Sequence, residues 1–335
     1  MLSTITAALT APRLFGVSVG QWVNLVSYIL FIFTSGIGGT GLFGTPRIGD
    51  TSNELPVEVT PASYAFSIWS LIFVLLGVLS ILQLLPANRE WSARKLGVWW
   101  VLNAGLAEAL WPSAFVFRWG NMWVSAALLA FIAFTAAGMY LQMGCGVAPL
   151  SDVRGEGAGC FARASRPVSL VELTCQAGVA IYMGWVSCAT ILNVSIALDQ
   201  SGVAEGEQAA GSASVVAAAA LLAVLCAVTR TDFFFSGAVC WALTAIHVNQ
   251  GKLQLSQNAA NSSLAAAAVA GAAAGAALLW RGGMIFLGRL SFAPLSTTLG
   301  GEQEDTKPSG GARSAWGAGG DAVVVQNVAA VKQWA

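Results

Sequence analysis

Eight apolar stretches dominate this chain, and what must cover them decides the fold. Five are long, at about residues 22–43, 64–85, 96–117, 123–143 and 168–198. A helix crossing a bilayer needs about 20 mainly apolar residues, so each of the five qualifies. Three more are shorter and richer in Ala, at about 213–229, 233–249 and 264–280. A soluble domain carries about 25% charged residues. Here Asp, Glu, Lys and Arg make up 10% against 56% apolar residues, and the mean hydropathy is +0.70. That leaves too little polar surface to face water. In lipid every backbone N–H and C=O needs a partner inside its own segment, which long apolar runs achieve as helices. The expected fold is an all-α polytopic membrane protein of about eight transmembrane helices.

Charge placement supports this count. With eight spans, one side of the bilayer holds Arg13, Arg89, Arg94, Lys95, Arg154, Arg163, Arg166, Arg230, Arg281, Arg289, Lys307, Arg313 and Lys332. The other holds Arg47, Arg118 and Lys252, and no basic residue is left inside a span. The excess of Lys and Arg on cytoplasmic loops then puts both termini in the cytoplasm, without saying which membrane is crossed. Only Arg230-Thr231-Asp232 separates the sixth and seventh stretches, which reads as a tight turn with Arg230 and Asp232 paired. Gly271 and Gly275 in the eighth have the small-xxx-small spacing of close helix contacts. Residues 146–166 and 199–212 read as flexible Gly-rich loops, and 291–335 as a disordered cytoplasmic tail too polar to bury a core.

Several classes of function are disfavoured. The formal net charge is zero, so no nucleic-acid partner is expected. Six Cys form no CxxC pair and there is one His, His247, which reads as interfacial; no metal site and no cofactor are expected. Cys175, Cys188, Cys226 and Cys240 read as small apolar packing residues. No nucleophile–base set and no phosphate-binding loop are visible, so the chain does not read as an enzyme or an ATP-driven pump. A retinal Schiff base needs a Lys inside a span, and all four Lys lie outside.

The informative residues lie in the second, third and fifth spans. Phe66, Trp69 and Phe73 share one face of the second, with Ser80 extending it. Trp100, Asn103, Ala107, Trp111 and Phe115 form a stripe on the third, with Glu108 at its edge. Tyr182, Trp185, Ala189, Asn193 and Ile196 do the same on the fifth. At about 1.5 Å per residue, Trp69 and Trp111 both come roughly 9 Å below the outer boundary. The three faces are expected to meet in the outer half of the membrane. Core packing is the plain reading of such stripes. Against it, indole N–H groups at depth need partners, and Gly178 and Gly184 read as leaving space beside Trp185. A flat apolar ligand between the indoles fits that arrangement.

The stretch TPASYAFSIWSLIF at 60–73 resembles the second-helix signature of the tryptophan-rich sensory protein/translocator (TspO/MBR) family, through Pro61, Tyr64, Phe66, Trp69 and Phe73. YMGWVSCATILN at 182–193 is similar to its fifth helix, through Trp185, Ala189, Thr190, Leu192 and Asn193. WPSAF at 111–115 resembles its third helix, with Ser113 displaced by one position. The resemblance covers about residues 22–198. It implies a five-helix core with a hydrophobic pocket, capped by the loop at 44–62, that takes porphyrins, sterols or similar ligands; Trp69 and Trp185 match pocket positions. The family's Lys-Pro-x-Trp-x-Pro-Pro run is missing, leaving Pro46, Pro56 and Pro61, and its third-helix Asn is Glu108 here. The implied division is an N-terminal segment at 1–21, the core at 22–198, three further spans at 199–290 and the tail. This matches a longer branch of the family.

Glu108 is expensive inside a bilayer, at about 3 kcal/mol on insertion scales for acidic residues. Two readings stand: a protonated or ligand-pairing functional group, or structural glue bonded to Asn103 or another span. Glu172 is plainer, since Ser169-Leu-Val-Glu172 has capping-box spacing. The expected function is binding or carrying a flat hydrophobic ligand of the tetrapyrrole or sterol class. Its candidate site comprises Phe66, Trp69, Phe73, Glu108, Trp111, Phe115, Tyr182, Trp185 and Asn193. The alternatives are a secondary transporter using Glu108 and a purely structural membrane protein; porphyrin modification is suggested by resemblance alone. The partners expected are the bilayer and the hydrophobic small molecule, with a homodimer left open.

Overall fold

A computed structural model describes residues 12–14, 16–146, 170–203, 205–253 and 257–286. The chain divides into two units, Met1–Gly300 and Gly301–Ala335, and every described residue belongs to the first. Two short antiparallel strands, β1 (Pro12–Leu14) and β2 (Val17–Ser18), lead into helix α1 (Val19–Thr40). α1 begins with a capping box: the Ser18 hydroxyl accepts from the Gln21 amide N–H, and the Gln21 side chain accepts from Ser18 N–H at 2.8 Å. It ends at Gly41, whose φ of 72° is a left-handed cap that glycine adopts without steric penalty.

A short helix α2 (Ile48–Glu54) lies in the first loop, and a 3₁₀ turn at Ser63–Ser67 opens α3 (Ile68–Leu82). After α4 (Arg89–Lys95), the third predicted span is composite. It consists of α5 (Gly97–Trp100), a π-helical turn at Val101–Ala107, and α6 (Glu108–Val116). Then follow α7 (Met122–Met143), α8 (Leu170–Gln200), α9 (Glu205–Arg230), α10 (Phe233–Leu253) and α11 (Gln257–Phe286).

Each of the eight predicted spans is helical over most of its described length, and the protein is an all-α polytopic membrane protein. Among the described residues, six helices are long and apolar enough to cross a bilayer. The other two predicted spans are the composite third, broken by its π turn, and α10, whose end carries His247, Asn249, Gln250 and Lys252. The exposed surface has the inverted polarity lipid requires: Val74 is 65% exposed, Ile81 66%, Phe134 61% and Leu279 78%. Buried positions meanwhile hold Gln21, Asn24, Gln83, Asn88 and Ser92. Four of these bond to one another near the start of α1, with Asn24 donating to Ser92 at 3.1 Å and Ser92 to Gln83 at 2.8 Å, while Asn88 donates to Leu82 O at 2.8 Å.

α8 sits at the centre, packed on α3, α7, α9 and α10, while α11 covers α9 and α10. α10 is also clamped to the chain entering α3. Ala62 N–H donates to Ala245 O (2.9 Å), Trp241 Nε1 to Ala65 O (3.1 Å), Asn249 Nδ2 to Thr60 O (3.1 Å) and Gln250 Nε2 to Glu58 O (2.6 Å).

Some sequence readings need correction. Residues 205–212 belong to α9 rather than to a loop, so the α8–α9 connection is short. Gly178 and Gly184 do not open space beside Trp185. A Cβ on Gly184 would meet Phe235 O at 2.8 Å and Ala238 Cβ at 2.9 Å, and one on Gly178 would meet Leu75 Cβ at 2.9 Å. They let α8 approach α10 and α3. Gly271 has the same use against Cys240, at 3.1 Å, but Gly275 faces open space. Arg230 and Asp232 serve different partners. Arg230 Nη1 donates to Cys145 O at 3.0 Å, while Asp232 accepts from Tyr140 Oη at 2.7 Å and from the N–H groups of Phe234 and Phe235 that open α10. The loop at 147–166, the Ser169 half of the capping box and the tail at 291–335 lie outside the described residues.

Candidate functional site: an aromatic cavity over a buried carboxyl

α3 runs opposite to α6 and α8, so Phe66, Trp111–Phe115 and Trp185–Asn193 come to one end of the bundle. There the rings interlock. Trp185 meets Phe66 edge-on at 5.8 Å between centroids and Trp69 at 6.4 Å, with planes 81° and 84° apart. Trp111 and Phe115 stack at 5.5 Å. Edge-to-face and offset-stacked pairs are the favoured arrangements of aromatic quadrupoles.

Between these rings lies a narrow, mainly apolar cavity walled by Phe66, Trp69, Trp111, Phe115, Trp185, Ala189 and Asn193. The loop after α1 adds Ile48, Ser52, Val59 and Pro61, and α10 adds Ala242 and Ile246. Its volume is about 30 Å³, enough for one or two waters. A porphyrin-sized occupant therefore requires the rings to part.

The polar atoms of the wall fall into two sets. One is internally satisfied: Trp111 Nε1 donates to Ser125 Oγ at 3.1 Å, Ser125 Oγ donates to Asn193 Oδ1 at 2.6 Å, and Asn193 Nδ2 donates to Ala189 O at 3.2 Å. The other is not. Trp185 Nε1 and Ser52 Oγ are buried and have no hydrogen-bond partner among the described residues. Such groups in a native protein call for an explanation.

The remaining predicted residues do not line this cavity. Phe73 packs one turn further along α3, stacked on Trp69 at 5.5 Å and edge-on to Phe31 at 5.4 Å. Tyr182 and Glu108 form a polar layer on that same side of Trp69. Tyr182 Oη is 2.6 Å from both Asn103 Oδ1 and Glu108 Oε1. The π turn makes this geometry. Its i→i−5 bond, from Glu108 N–H to Asn103 O, winds the backbone wide enough to set both side chains on the face toward α8. Glu108 is consequently fully buried rather than at the stripe's edge.

Three contributions escaped the sequence reading. Phe31 on α1 touches Trp69, Phe73 and Tyr182, at 6.1, 5.4 and 6.1 Å. Ser52 and the α10 pair Ala242 and Ile246 are the others. The i, i+4 spacing of that pair matches a helix face, yet nothing in it distinguishes cavity wall from ordinary packing. Among the described residues no group of three or more His, Cys, Asp or Glu is placed to hold a metal ion.

The fold and cavity define an integral multi-pass membrane protein with an aromatic chamber between its helices. The sequence model of the TSPO-like protein family matches residues 21–280, and the chain belongs to that family. The match runs past residue 198 and through the three spans that follow. The family is generally non-enzymatic. No curated protein and no solved structure matched the sequence.

Proposed function

We propose that the cavity between α3, α6, α8 and α10 binds a flat hydrophobic small molecule of the tetrapyrrole or sterol class, and that the protein receives or carries it within the bilayer. The observation that supports this most is Trp185. Its indole N–H is buried in the wall of an apolar chamber without a partner among the described residues, and an acceptor on a bound molecule satisfies it. Ser52 Oγ offers a second polar point from the loop that covers the cavity. Entry proceeds by displacement of the α2 loop and rotation of Trp69 and Phe66, because the resting space is too narrow for a macrocycle. Both termini face the cytoplasm in this reading, from the thirteen-to-three division of basic residues.

The test is titration of protoporphyrin into the protein in lipid nanodiscs, followed by Trp quenching, with a sterol as competitor and empty nanodiscs as the partition control. Saturable quenching, weakened in Trp185→Phe and Trp69→Phe, supports the site. Quenching no greater than in empty nanodiscs, or equal in parent and both variants, refutes it. A secondary transporter is the second reading, favoured by the complete burial of Glu108 at a π turn, a helix irregularity frequent at functional sites.

A further inference from the structure

The hydrogen bonds around Tyr182 can be assigned donor by donor. Asn103 Nδ2 lies 2.9 Å from Ile132 O and 2.8 Å from Thr135 Oγ1. Ile132 O can only accept, and the Thr135 hydroxyl gives its own proton to Phe131 O (2.9 Å) or Ile132 O (3.0 Å). Both positions therefore call for the amide N–H groups, which fixes the Asn103 side chain with its oxygen toward Tyr182. That oxygen only accepts. The Tyr182 hydroxyl has one proton, and the 2.6 Å contact with Asn103 Oδ1 uses it. The second 2.6 Å contact, between Tyr182 Oη and Glu108 Oε1, is then a hydrogen bond only if the carboxyl supplies the proton. An ionised Glu108 would claim the tyrosine proton and leave two bare oxygen lone pairs facing each other at Asn103.

The surroundings agree. α1, α3 and α7 contain no Asp, Glu, Lys, Arg or His. Their tyrosines are used elsewhere, Tyr28 donating to Phe73 O and Tyr140 to Asp232. On α8 the acidic residues Glu172 and Asp199 lie near the two ends and the thiols Cys175 and Cys188 lie about two turns to either side of Tyr182, so Tyr182 is the titratable group bonded to Glu108. On α2, Asp50 and Glu54 are exposed, and Glu54 is bonded to Arg118 at 3.0 Å. Among the described residues packed around Glu108, no cation balances a carboxylate. A buried anion without a partner is strongly disfavoured.

We propose that Glu108 is a membrane-embedded proton-binding site: a neutral carboxylic acid donating to Tyr182, at the head of a directed chain Glu108→Tyr182→Asn103. Losing the proton requires the Tyr182 hydroxyl to turn from Asn103 to the new carboxylate. The Tyr182 ring packs on Trp69, at 6.2 Å between centroids, so the turn reaches the cavity wall through a single side chain. Glu108 Oε2 is buried without a partner among the described residues, leaving an acceptor for whatever donates when the proton moves.

Infrared difference spectroscopy of the ligand-free protein in lipid tests this directly, so the outcome is independent of whether the cavity binds a molecule. A protonated-carboxyl C=O band is expected at neutral pH. It should vanish in Glu108→Gln, persist in Asp232→Asn, and shift to higher frequency in Tyr182→Phe, where its hydrogen bond is lost. Glu108→Gln should fold, because the amide N–H donates to Tyr182 as the acid does. Should it not, ¹³C-glutamate labelling of the parent gives the same reading: a labelled acid band at neutral pH that converts to carboxylate on alkalinisation. A parent without an acid band removed by Glu108→Gln, or a labelled parent showing only carboxylate at neutral pH, overturns the proposal.

Discussion

The indole Nε1 of Trp241 donates to the carbonyl oxygen of Ala65 at 3.1 Å, joining positions 176 residues apart. Ala65 belongs to the 3₁₀ turn that carries Phe66 into the cavity and precedes Trp69. Tyr64 closes on the same indole edge-on at 5.3 Å. α10 is thus a buttress for one wall of the chamber as well as additional mass in the membrane. A neutral hydrogen bond of this kind contributes about 1 kcal/mol. Trp241→Phe keeps most of the ring contact and should lose about that much. Trp241→Ala forfeits the aromatic pair too and should lose about 2 kcal/mol. Thermal unfolding in a fixed detergent measures both. Equal stability of Trp241→Ala and parent would detach α10 from the second span's entry.

Two glycines should respond to the same substitution with opposite signs. Gly184→Ala drives a methyl to 2.8 Å from Phe235 O and 2.9 Å from Ala238 Cβ. Because backbone and another Cβ are in the way, α8 and α10 must move apart, and overpacking of this kind costs about 1–3 kcal/mol. Gly36 in α1 has nothing within 4 Å of the same position. There the methyl meets no obstacle and the helix gains propensity, so Gly36→Ala should raise stability by about 0.5–1 kcal/mol. Unfolding midpoints of the two variants, measured side by side, carry the comparison.

Asp232 holds the turn between α9 and α10 by accepting from two backbone N–H groups and from Tyr140. Asp232→Ala removes the helix cap and strands a buried hydroxyl, for a loss of about 2 kcal/mol. Asp232→Asn retains an acceptor and should lose less than half of that. Tyr140→Phe should lose about 1 kcal/mol. In the Asp232→Ala background, Tyr140→Phe should cost little, because its partner is already gone. Additive losses across that double-mutant cycle would show that the two side chains do not act as a pair.

How much of this was readable in advance depends on what each feature requires. The spans were legible because length and apolarity alone define them, and the aromatic end of the bundle followed from helix period plus alternating direction. Trp69, Trp111, Trp185 and Asn193 reach the cavity on those grounds. Glu108 and Asn103 could not be placed together the same way. At 3.6 residues per turn they diverge, and only the i→i−5 winding of Val101–Ala107 aligns them. Gly184 shows another limit: a missing side chain admits either a ligand or a neighbouring helix, and here it admits α10. Ala242 and Ile246 carry no chemical mark at all; the clamp between α10 and the 58–65 segment decides that they face the cavity.

Two of the cavity indoles, Trp111 and Trp185, should behave oppositely when their N–H groups are removed. Trp111 Nε1 is bonded to Ser125, so Trp111→Phe breaks the chain to Asn193 and should lower stability by about 1 kcal/mol. Trp185 Nε1 has no partner among the described residues, so Trp185→Phe deletes a buried donor that folding leaves unused. Its stability should equal or exceed the parent's, by up to about 1 kcal/mol after the loss of ring area. Ligand binding should reverse the order. If the bound molecule accepts from Trp185, Trp185→Phe loses about 1 kcal/mol of affinity, roughly fivefold in Kd, while remaining as stable as the parent. Unfolding curves recorded with and without protoporphyrin separate the two effects. A Trp185→Phe variant destabilised as much as Trp111→Phe without ligand would mean that its indole serves the fold and not an occupant.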